Sequence, residues 1–406
     1  GRPGSGAVAA QPQAVQQGLH VLWEGCPMAA QKDTESEEFL AFRRSYLIAF
    51  FCGSSADWLK GPYIYRLYEA RGFVPEEITF LFAAGYTSSA IIGLVAGMMA
   101  DAFGRRRMCL LFCFLYTVHG LLHVFESFTM LLCARAVSGV ATALLFSAFE
   151  AWMVAEHRRR FESSDLAETF AVQTQGNAFV AIVSGLVAQG AVTVAGYAAP
   201  FMVATPLLAS CAWQVARWPE NLGSAVADTP TGRVWSVVST AFSSMNTVVL
   251  RVGLMQCLFE GSMHVFVFLW TPCLQRSGYK VPHGLVFTVF MFCMFLGGRQ
   301  SSSHSAFRPP LGFIFLISAC SLLVPFVTEN LWWNMGAFCS FEWCVGYYYP
   351  QIAMLRSRHI SETSRNALIT LFRMPLNVLV IATLVWGRAR PAHVLLLSAS
   401  GALTVA

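Results

Sequence analysis

The stretch GMMADAFGRRR, residues 97–107, joins two apolar runs at about 76–100 and 108–125. Each run is about long enough to cross a ~30 Å hydrocarbon core as a helix. So short a polar connection between two such helices requires a tight hairpin. We expect Gly97 to let backbones approach closely and Gly104 to supply a turn that would strain other residues. The stretch therefore predicts two antiparallel membrane-spanning helices.

The charges of this stretch predict which way the hairpin faces. Arg105 and Arg106, followed by Arg107, should hold the turn in the cytoplasm, because short loops rich in Lys and Arg stay inside. Alternate loops along the chain are also basic, a pattern that places the N-terminus in the cytoplasm as well. Asp101 is placed to pair with an arginine or to face the N-terminus of a neighbouring helix, where a negative charge is favoured.

The composition is typical of a helical membrane protein. Of 406 residues, 56% are hydrophobic and 12% are charged, whereas about a quarter of a soluble domain is charged. The basic loops account for the net charge of +5, so the expected surroundings are a lipid bilayer and no nucleic acid. The 12 cysteines include no CxxC spacing, and Cys109 and Cys113, four residues apart on one span, are interpreted as apolar packing residues. Without a nucleophile elbow, a phosphate-binding loop or a His/Cys cluster, the sequence predicts no enzymatic activity, cofactor or metal site.

Apolar runs recur along the chain in two sets of six. We predict an all-α membrane protein with two six-helix halves, 43–217 and 247–406, related by pseudo-twofold symmetry and joined by a cytoplasmic linker at 218–246. The last run is short, which predicts a truncated final helix. The predicted spans are 43–68, 76–100, 108–125, 129–155, 169–194, 197–217, 247–273, 282–298, 311–328, 330–355, 364–387 and 391–406.

The first part of the chain differs in composition from the rest. Residues 1–42 are expected to form a disordered tail, because they are too poor in apolar residues to pack. The first methionine is Met28, so we interpret residues 1–27 as an upstream translation artefact.

Three sequence features resemble a known superfamily. The order G-x-x-x-D-x-x-G-R-R at 97–106 resembles the signature loop of the major facilitator superfamily of secondary transporters. The segment from Arg135 to Gly139 resembles a second, structural element of that superfamily, early in the fourth span. Residues 146–152 and 338–344 repeat Ser, Phe, Glu and Trp in the same order. The resemblance implies a major facilitator fold, in which duplicated halves open a central cavity to either side in turn.

A closer resemblance covers about residues 45–387. The stretch DWLKGPYIYRLY at 57–68, the run at 147–152, FVFLWTP at 266–272 and FRMPL at 372–376 are similar to molybdate-anion transporters. That resemblance implies a multi-pass protein of the plasma membrane that takes up molybdate. Two other functions stay open, namely carriage of another organic or inorganic solute and a non-transporting role as membrane receptor or scaffold.

Ionisable residues within the spans are the first candidates for a site, because a charge at the bilayer centre costs ~2.5–3.5 kcal/mol. Asp57 and Lys60 are three residues apart, so they form a local ion pair or line the transport path. The following Gly-Pro pair should interrupt the helix. Arg135 and Glu150 share the fourth span but lie ~22 Å apart along it, too far to pair. Glu150 either faces the cavity or makes a structural hydrogen bond.

Polar stripes on the fifth and eleventh spans predict a wetted face. Gln173 and Asn177 belong to the fifth span, and Asn366, Arg373 and Asn377 belong to the eleventh. Arg373 is the main predicted anion ligand, because a guanidinium forks to oxyanion oxygens and stays charged. The alternative is that its side chain reaches the cytoplasmic surface. The amides, together with the Lys60 ammonium, would complete a site for a small tetrahedral dianion.

Three further residues are predicted to carry protons or to gate the cavity. Glu260 and His264 are four residues apart on the seventh span, and Glu342 occupies the position that matches Glu150. Desolvation favours the protonated carboxyl group, and histidine titrates near neutrality. Carboxylates, Asp57 among them, would repel a dianion unless protonated or paired, which predicts proton cotransport. Buried hydrogen bonds between helices are the alternative.

Overall fold

The computed structural model describes residues 27–161, 166–222, 239, 242–302, 308–360, 362–387 and 390–406. Within these ranges the regular elements are α-helices, which we number in chain order. They are α1 (Pro27–Lys60), α2 (Ile64–Ala70), α3 (Pro75–Phe103), α4 (Arg105–Leu122), α5 (Phe128–Leu145), α6 (Ala148–Arg160), α7 (Leu166–Ala195), α8 (Ala199–Ala216), α9 (Thr247–Gln275), α10 (His283–Ser302), α11 (Leu311–Val327), α12 (Leu331–His359), α13 (Glu362–Gly387) and α14 (Ala392–Val405).

Each predicted span coincides with one helix or with two consecutive helices. The first span is α1 followed by α2, and it is interrupted at Gly61 and Pro62 as expected. The fourth span is α5 followed by α6, with a break at Phe146 and Ser147 that the sequence did not predict. By length and composition alone, five described helical stretches can cross a bilayer, with α5 and α6 counted together as one, or six if the bent α3 is counted as a single span.

The N-terminal region departs from the predicted tail. Helix α1 begins at Pro27, inside the segment that was expected to be disordered. Phe39 and Phe42 explain the difference, because both rings are buried and both pack against Phe161 at the end of α6. Most of the predicted linker at 218–246 lies outside the described residues.

Buried apolar side chains form two large clusters. One lies among α1, α4, α5, α6 and α8, where the stacked rings of Trp152 and Trp218 have centroids 3.9 Å apart. The other lies mainly among α9–α14 and extends to α2 and α3. In it, Phe259 stacks on Tyr348 with centroids 4.0 Å apart. Aromatic pairs of this kind bury large areas, so the early and the late helices each pack around a core of their own.

The signature loop is a tight hairpin that is fastened to the chain after α8. Gly104 has a φ of 103°, in the region that favours glycine. Asp101 pairs with Arg105 at 2.7 Å, which is one of the two expected partners. Glu220 accepts a hydrogen bond of 2.9 Å from the backbone N–H of Arg106. The hairpin and the end of α8 are therefore held together.

Gly97 does not play the expected part in this hairpin. A Cβ at Gly97 would meet no atom within 4 Å. Helix α3 instead approaches α5 roughly three turns earlier, where a Cβ at Gly139 would lie 2.4 Å from the carbonyl oxygen of Gly85. Close backbone contact depends on where two helices cross, and that crossing is remote from the loop.

We expect Gly104→Ala to lower the melting temperature of the purified protein in detergent. Alanine rarely adopts a φ of 103°, because its Cβ is strained there, and this Cβ would lie 2.7 Å from the carboxylate carbon of Glu220. Holding a residue in such a backbone conformation costs about 1–3 kcal/mol. The matched control is Gly97→Ala, which should leave the melting temperature unchanged or slightly raised, because alanine favours helix and meets no neighbour. Equal melting temperatures for the two variants would contradict this reading of the loop.

Contacts between α1–α8 and α9–α14 gather at one end of the bundle. We call the end with the signature loop the basic end and the other the opposite end. At the opposite end, Gly284 donates its backbone N–H to Tyr63 and to Gln189, each at 3.2 Å. Nearby, Thr288 donates to the carbonyl oxygen of Ile182 at 3.1 Å. At the basic end, no hydrogen bond or ion pair between two described residues joins the two sets.

Candidate functional site

Arg373 lies on α13, where helices of the two sets face each other. Its side chain is exposed, and no hydrogen bond or ion pair joins its guanidinium to another described residue. Its charge acts on the carboxylate of Glu150 on α6. The carboxylate of Glu260 on α9 lies in the field of Arg356 on α12 first and of Arg373 second. The structure therefore brings three of the predicted site residues together from three helices. An unpaired guanidinium in this position is able to bind an anion with two parallel hydrogen bonds.

Glu260 is held by neighbours from α9 and α12. Its carboxylate accepts a hydrogen bond of 3.3 Å from the hydroxyl of Tyr348, and Gln256 lies one turn earlier on α9. The amide oxygen of Gln256 in turn accepts from Arg356 at 3.3 Å. His264 does not bond to the Glu260 carboxylate, because its Nδ1 donates to the backbone oxygen of Glu260 at 2.6 Å. The pair is therefore a local helix contact.

Glu342 and Glu150 match in sequence but lie in different surroundings. Glu150 is exposed and close to the charge of Arg373. Glu342 is only 5% exposed, and the thiol of Cys293 is its main electrostatic neighbour. No hydrogen bond between described residues reaches its carboxylate.

The amides of α7 are oriented by aromatic donors of α1. Tyr46 donates its hydroxyl to Gln173 Oε1 at 2.8 Å, and Trp58 donates its indole N–H to Asn177 Oδ1 at 3.0 Å. An indole N–H can only donate, so the Asn177 oxygen must face it and the NH₂ group points elsewhere. Both half-buried amides keep N–H donors without a described partner. No contact among the described residues joins them to Arg373.

The structure defines the surroundings of the other two predicted amides, Asn366 and Asn377, less completely. Asn377 lies one turn after Arg373 on α13 and is half-buried, with no hydrogen bond to another described residue. The side chain of Asn366 lies outside the described part of the chain. The structure therefore defines the eleventh-span stripe only from Arg373 onwards.

Asp57 and Lys60 form an ion pair inside α1–α8, in which Lys60 is buried and Asp57 is half-buried. The Lys60 ammonium lies 3.2 Å from Asp57 Oδ1 and 3.4 Å from Ser138 Oγ. It also donates to the hydroxyl of Tyr116, which itself donates to Asp57. Lys60 is 8% exposed, and its three N–H donors are all engaged. The structure therefore shows the local ion pair, one of the two interpretations that the sequence leaves open for Asp57 and Lys60.

Arg135 is held close to this pair but does not bond to it. Its Nε donates to the carbonyl oxygen of Leu81 at 3.2 Å, and its guanidinium lies 4.8 Å from the ring centroid of Phe82. A Cβ at Gly85 would lie 2.6 Å from Arg135 Nη2, so that glycine makes room for the guanidinium. Arg135 and Glu150 make no bond to each other, as their separation along the span implies.

Sequence reasoning missed the partners that organise these groups. They are aromatic or hydroxyl side chains, and in the sequence such residues look like ordinary packing residues of a membrane helix. One signal was available, since Tyr116, His119 and His123 recur at helical spacing on one face of α4. The missed partners are Tyr46, Trp58, Tyr116, Ser138 and Tyr348.

Known proteins share both the fold and the sequence pattern. Residues 13–346 match the model of a family described as sugar transporters with 12 transmembrane segments. A crystal structure of the nucleoside transporter NupG superposes with a TM-score of 0.70 at 11% identity, covering 89% of this chain and 97% of that chain. The match to this family over most of the chain, together with the shared fold, shows that the chain is a transporter of the major facilitator superfamily.

Relatives in sequence narrow the assignment. The chain is 30% identical to the molybdate-anion transporter of Xenopus tropicalis, covering 89% of this chain and 84% of the relative. It is 29% identical to the molybdate-anion transporter of Danio rerio, covering 86% of this chain and 80% of the relative. This chain belongs to the molybdate-anion transporter family.

Proposed function

We propose that this protein is a secondary active transporter that takes up molybdate across the plasma membrane by alternating access. The observation that carries the proposal is the free guanidinium of Arg373, which faces helices of both sets without an ion-pair partner. The relatives named molybdate-anion transporters support the choice of substrate. The basic end is assigned to the cytoplasm, because short Lys/Arg-rich loops stay on that side.

A small tetrahedral dianion suits the donors that this cavity offers. Molybdate presents oxygens in every direction, so one edge can accept the fork of Arg373 while another faces amide N–H groups. Asn177 and Gln173 offer such groups, because Trp58 and Tyr46 occupy their oxygens. These amides belong to α7 and Arg373 belongs to α13. A bound anion would therefore draw donors from the two sets of helices together.

The carboxylates near Arg373 set a condition on anion binding. Glu150 and Glu260 both feel the charge of Arg373, so a dianion that binds there meets two negative neighbours. The repulsion is offset when the protein takes up a positive charge together with the dianion. We therefore propose that a proton enters with the anion.

Alternating access requires the two sets of helices to separate at one end and meet at the other. The hydrogen bonds of Tyr63, Gln189 and Thr288 join the sets at the opposite end, and Arg373 and Glu150 are exposed and take no part in that contact. We assign this arrangement to the state that opens at the basic end.

The direct test is molybdate counterflow by the purified full-length protein in liposomes. Liposomes loaded with unlabelled molybdate should take up labelled molybdate, and external tungstate or sulfate should compete, because all three are tetrahedral dianions. Glucose should not compete. Liposomes without protein give the background. Normal reconstitution without any counterflow would overturn the proposal, and binding without counterflow would indicate a receptor-like role.

A second candidate is the carriage of a neutral solute rich in hydroxyl groups. The description of the matching family as sugar transporters favours it. Carboxylates such as Glu150 and amides such as Asn177 are ordinary hydrogen-bond partners for hydroxyls. Counterflow of a sugar in place of molybdate, in the same liposomes, would support this candidate.

We expect Asn177→Asp to raise the KM for molybdate about tenfold. The carboxylate keeps an oxygen for Trp58 but removes the N–H donors and adds a negative charge, a change worth roughly 1.4 kcal/mol or more. The control is Asn330→Asp, since Asn330 caps α12 at the opposite end and aspartate caps equally well. Initial uptake rates over a range of molybdate concentrations give the comparison. An unchanged KM for Asn177→Asp would remove Asn177 from the anion site.

A further inference from the structure

A second group of polar side chains is buried among α1, α4 and α5, apart from Arg373. It begins with Asp57, Lys60 and Tyr116, which are joined by hydrogen bonds as described above. It continues along α4 with His119 and His123, whose ring centroids lie 4.4 Å apart. The two histidines are 2% and 0% exposed, respectively. Polar and ionisable side chains inside a membrane are costly to desolvate, so a buried group of them is a candidate functional site.

Backbone carbonyls fix the protons of both histidines. His119 Nδ1 lies 2.9 Å from the carbonyl oxygen of Ala134, and His123 Nδ1 lies 2.8 Å from the carbonyl oxygen of His119. A carbonyl oxygen only accepts, so each Nδ1 carries the proton in a neutral ring and each Nε2 has a free lone pair. His123 Nε2 accepts from the hydroxyl of Tyr68 at 2.8 Å.

His119 Nε2 is the exception in this group. It is fully buried and has no hydrogen-bond partner. A buried nitrogen lone pair without a donor is a vacant position for a proton. Tyr116 lies beside it, with ring centroids 5.4 Å apart, and the charges of Lys60 and Arg135 also act on it.

We propose that this group, with His119 Nε2 as the acceptor, is the site that binds the transported proton. The inference rests on the proposed transport function and identifies the residue that couples transport to pH. His123 and Tyr68 lie between His119 and the opposite end, where Arg71 holds the carbonyl oxygen of His123. The proton reaches His119 from that end when the opposite end is open.

The charges around His119 explain how proton binding acts on the conformation. The charged groups that face the cluster are Asp57 and Lys60 from α1, Arg71 after α2 and Arg135 from α5. The remaining titratable neighbours are tyrosines: Tyr68 on α2, Tyr86 on α3 near Arg135, and Tyr116 on α4. Helix α8 contributes the ring of Phe201.

Protonation of His119 adds a positive charge beside Lys60 and Arg135, with Asp57 as the one nearby carboxylate. The resulting repulsion destabilises the arrangement seen here, which is joined at the opposite end. The proton-loaded protein therefore favours the other arrangement, because a ligand shifts a conformational equilibrium towards the state that binds it better. The proton enters from the opposite end and leaves when the protein opens at the basic end.

The test compares wild type with His119→Asn in liposomes containing the full-length protein. The asparagine side-chain N–H can replace Nδ1 as donor to Ala134, but it has no group in place of Nε2 that takes a proton. With the membrane potential clamped, an inward gradient of about one pH unit should drive about tenfold accumulation of molybdate by wild type for one proton per anion. His119→Asn should equilibrate molybdate without accumulating it. Its counterflow at equal pH should stay within about threefold of wild type, because exchange needs no net proton movement.

The control is His393→Gln, since His393 is half-buried at the start of α14 and also has a ring nitrogen without a partner. It should accumulate molybdate like wild type. Accumulation by His119→Asn equal to that of wild type would overturn the proton site. Absence of molybdate counterflow in wild type would instead overturn the proposed substrate.

A measurement without molybdate tests the proton site whether or not the protein transports molybdate. The melting temperature of purified wild type should fall from about pH 8 to about pH 5, because histidines that are buried and neutral here take up protons on unfolding. His119→Asn should reduce that fall and His393→Gln should keep it, while the buried His123 contributes in all three proteins. His119→Gln serves if His119→Asn does not purify as a monodisperse protein. A wild-type melting temperature that is independent of pH over this range would overturn the site.

Discussion

Arg373→Ala is expected to reduce molybdate transport at least about 100-fold. The guanidinium would make two charge-assisted hydrogen bonds to the anion, each worth about 1.5–3 kcal/mol, and about 2.7 kcal/mol corresponds to a factor of about 100. In the described part of the chain, no other cation in the cavity is exposed and unpaired next to Glu150. Arg373→Lys should retain part of the activity, because it keeps the charge and loses the fork.

The measurement is the initial rate of molybdate uptake per protein molecule at the cell surface. Arg358→Ala is the matched control, since Arg358 is exposed at the end of α12 and remote from the carboxylates of the cavity. It should transport at the wild-type rate. Undiminished uptake by Arg373→Ala would show that the anion binds elsewhere, whereas sugar uptake that survives the substitution would support a neutral substrate.

Lys60→Ala and Asp57→Ala are each expected to destabilise the protein strongly. Asp57→Ala leaves the Lys60 ammonium, which is only 8% exposed, without its charge partner, and breaking a buried pair in this way costs about 3–5 kcal/mol. Lys60→Ala leaves the half-buried Asp57 unpaired and should cost less. The double substitution should cost less than the sum of the two, because the pair is then absent altogether. Tyr116 would lose a bond in each variant.

Thermal unfolding of the purified variants in detergent measures this coupling. The melting temperature should fall by several degrees in each single variant and recover in part in the double variant. Lys280→Ala, an exposed lysine in the turn after α9, controls for the loss of a lysine as such. Strictly additive losses would show that Asp57 and Lys60 do not depend on each other.

The sequence was most informative where chemistry and spacing are local. The hairpin at 97–107 follows from two apolar runs and a connection of a few residues, and the pairing of Asp101 with Arg105 follows from their separation by one helical turn. The interruption at Gly61 and Pro62 follows from backbone chemistry alone. Each of these predictions needs only neighbours in the chain.

The rest depends on which helices pack together, and a sequence pattern does not contain that information. Glu150 and Glu342 share a motif, but one faces Arg373 and the other is buried near a thiol. The sequence made Lys60 a candidate anion ligand, and only the packing of α4 and α5 shows that Tyr116 and Ser138 accept hydrogen bonds from it. The free lone pair of His119 likewise appears only once Ala134 is in place.

The contacts at the opposite end have a consequence for how the protein responds to salt. They consist of hydrogen bonds in which at least one partner is neutral, such as Gly284 with Gln189 and Gln275 with Glu69 at 3.0 Å. No ion pair between described residues crosses from one set of helices to the other. Dissolved salt screens interactions between charges and leaves neutral hydrogen bonds almost unaffected. Ionic strength should therefore slow the arrival of a dianion at its binding site without changing how readily these helices part.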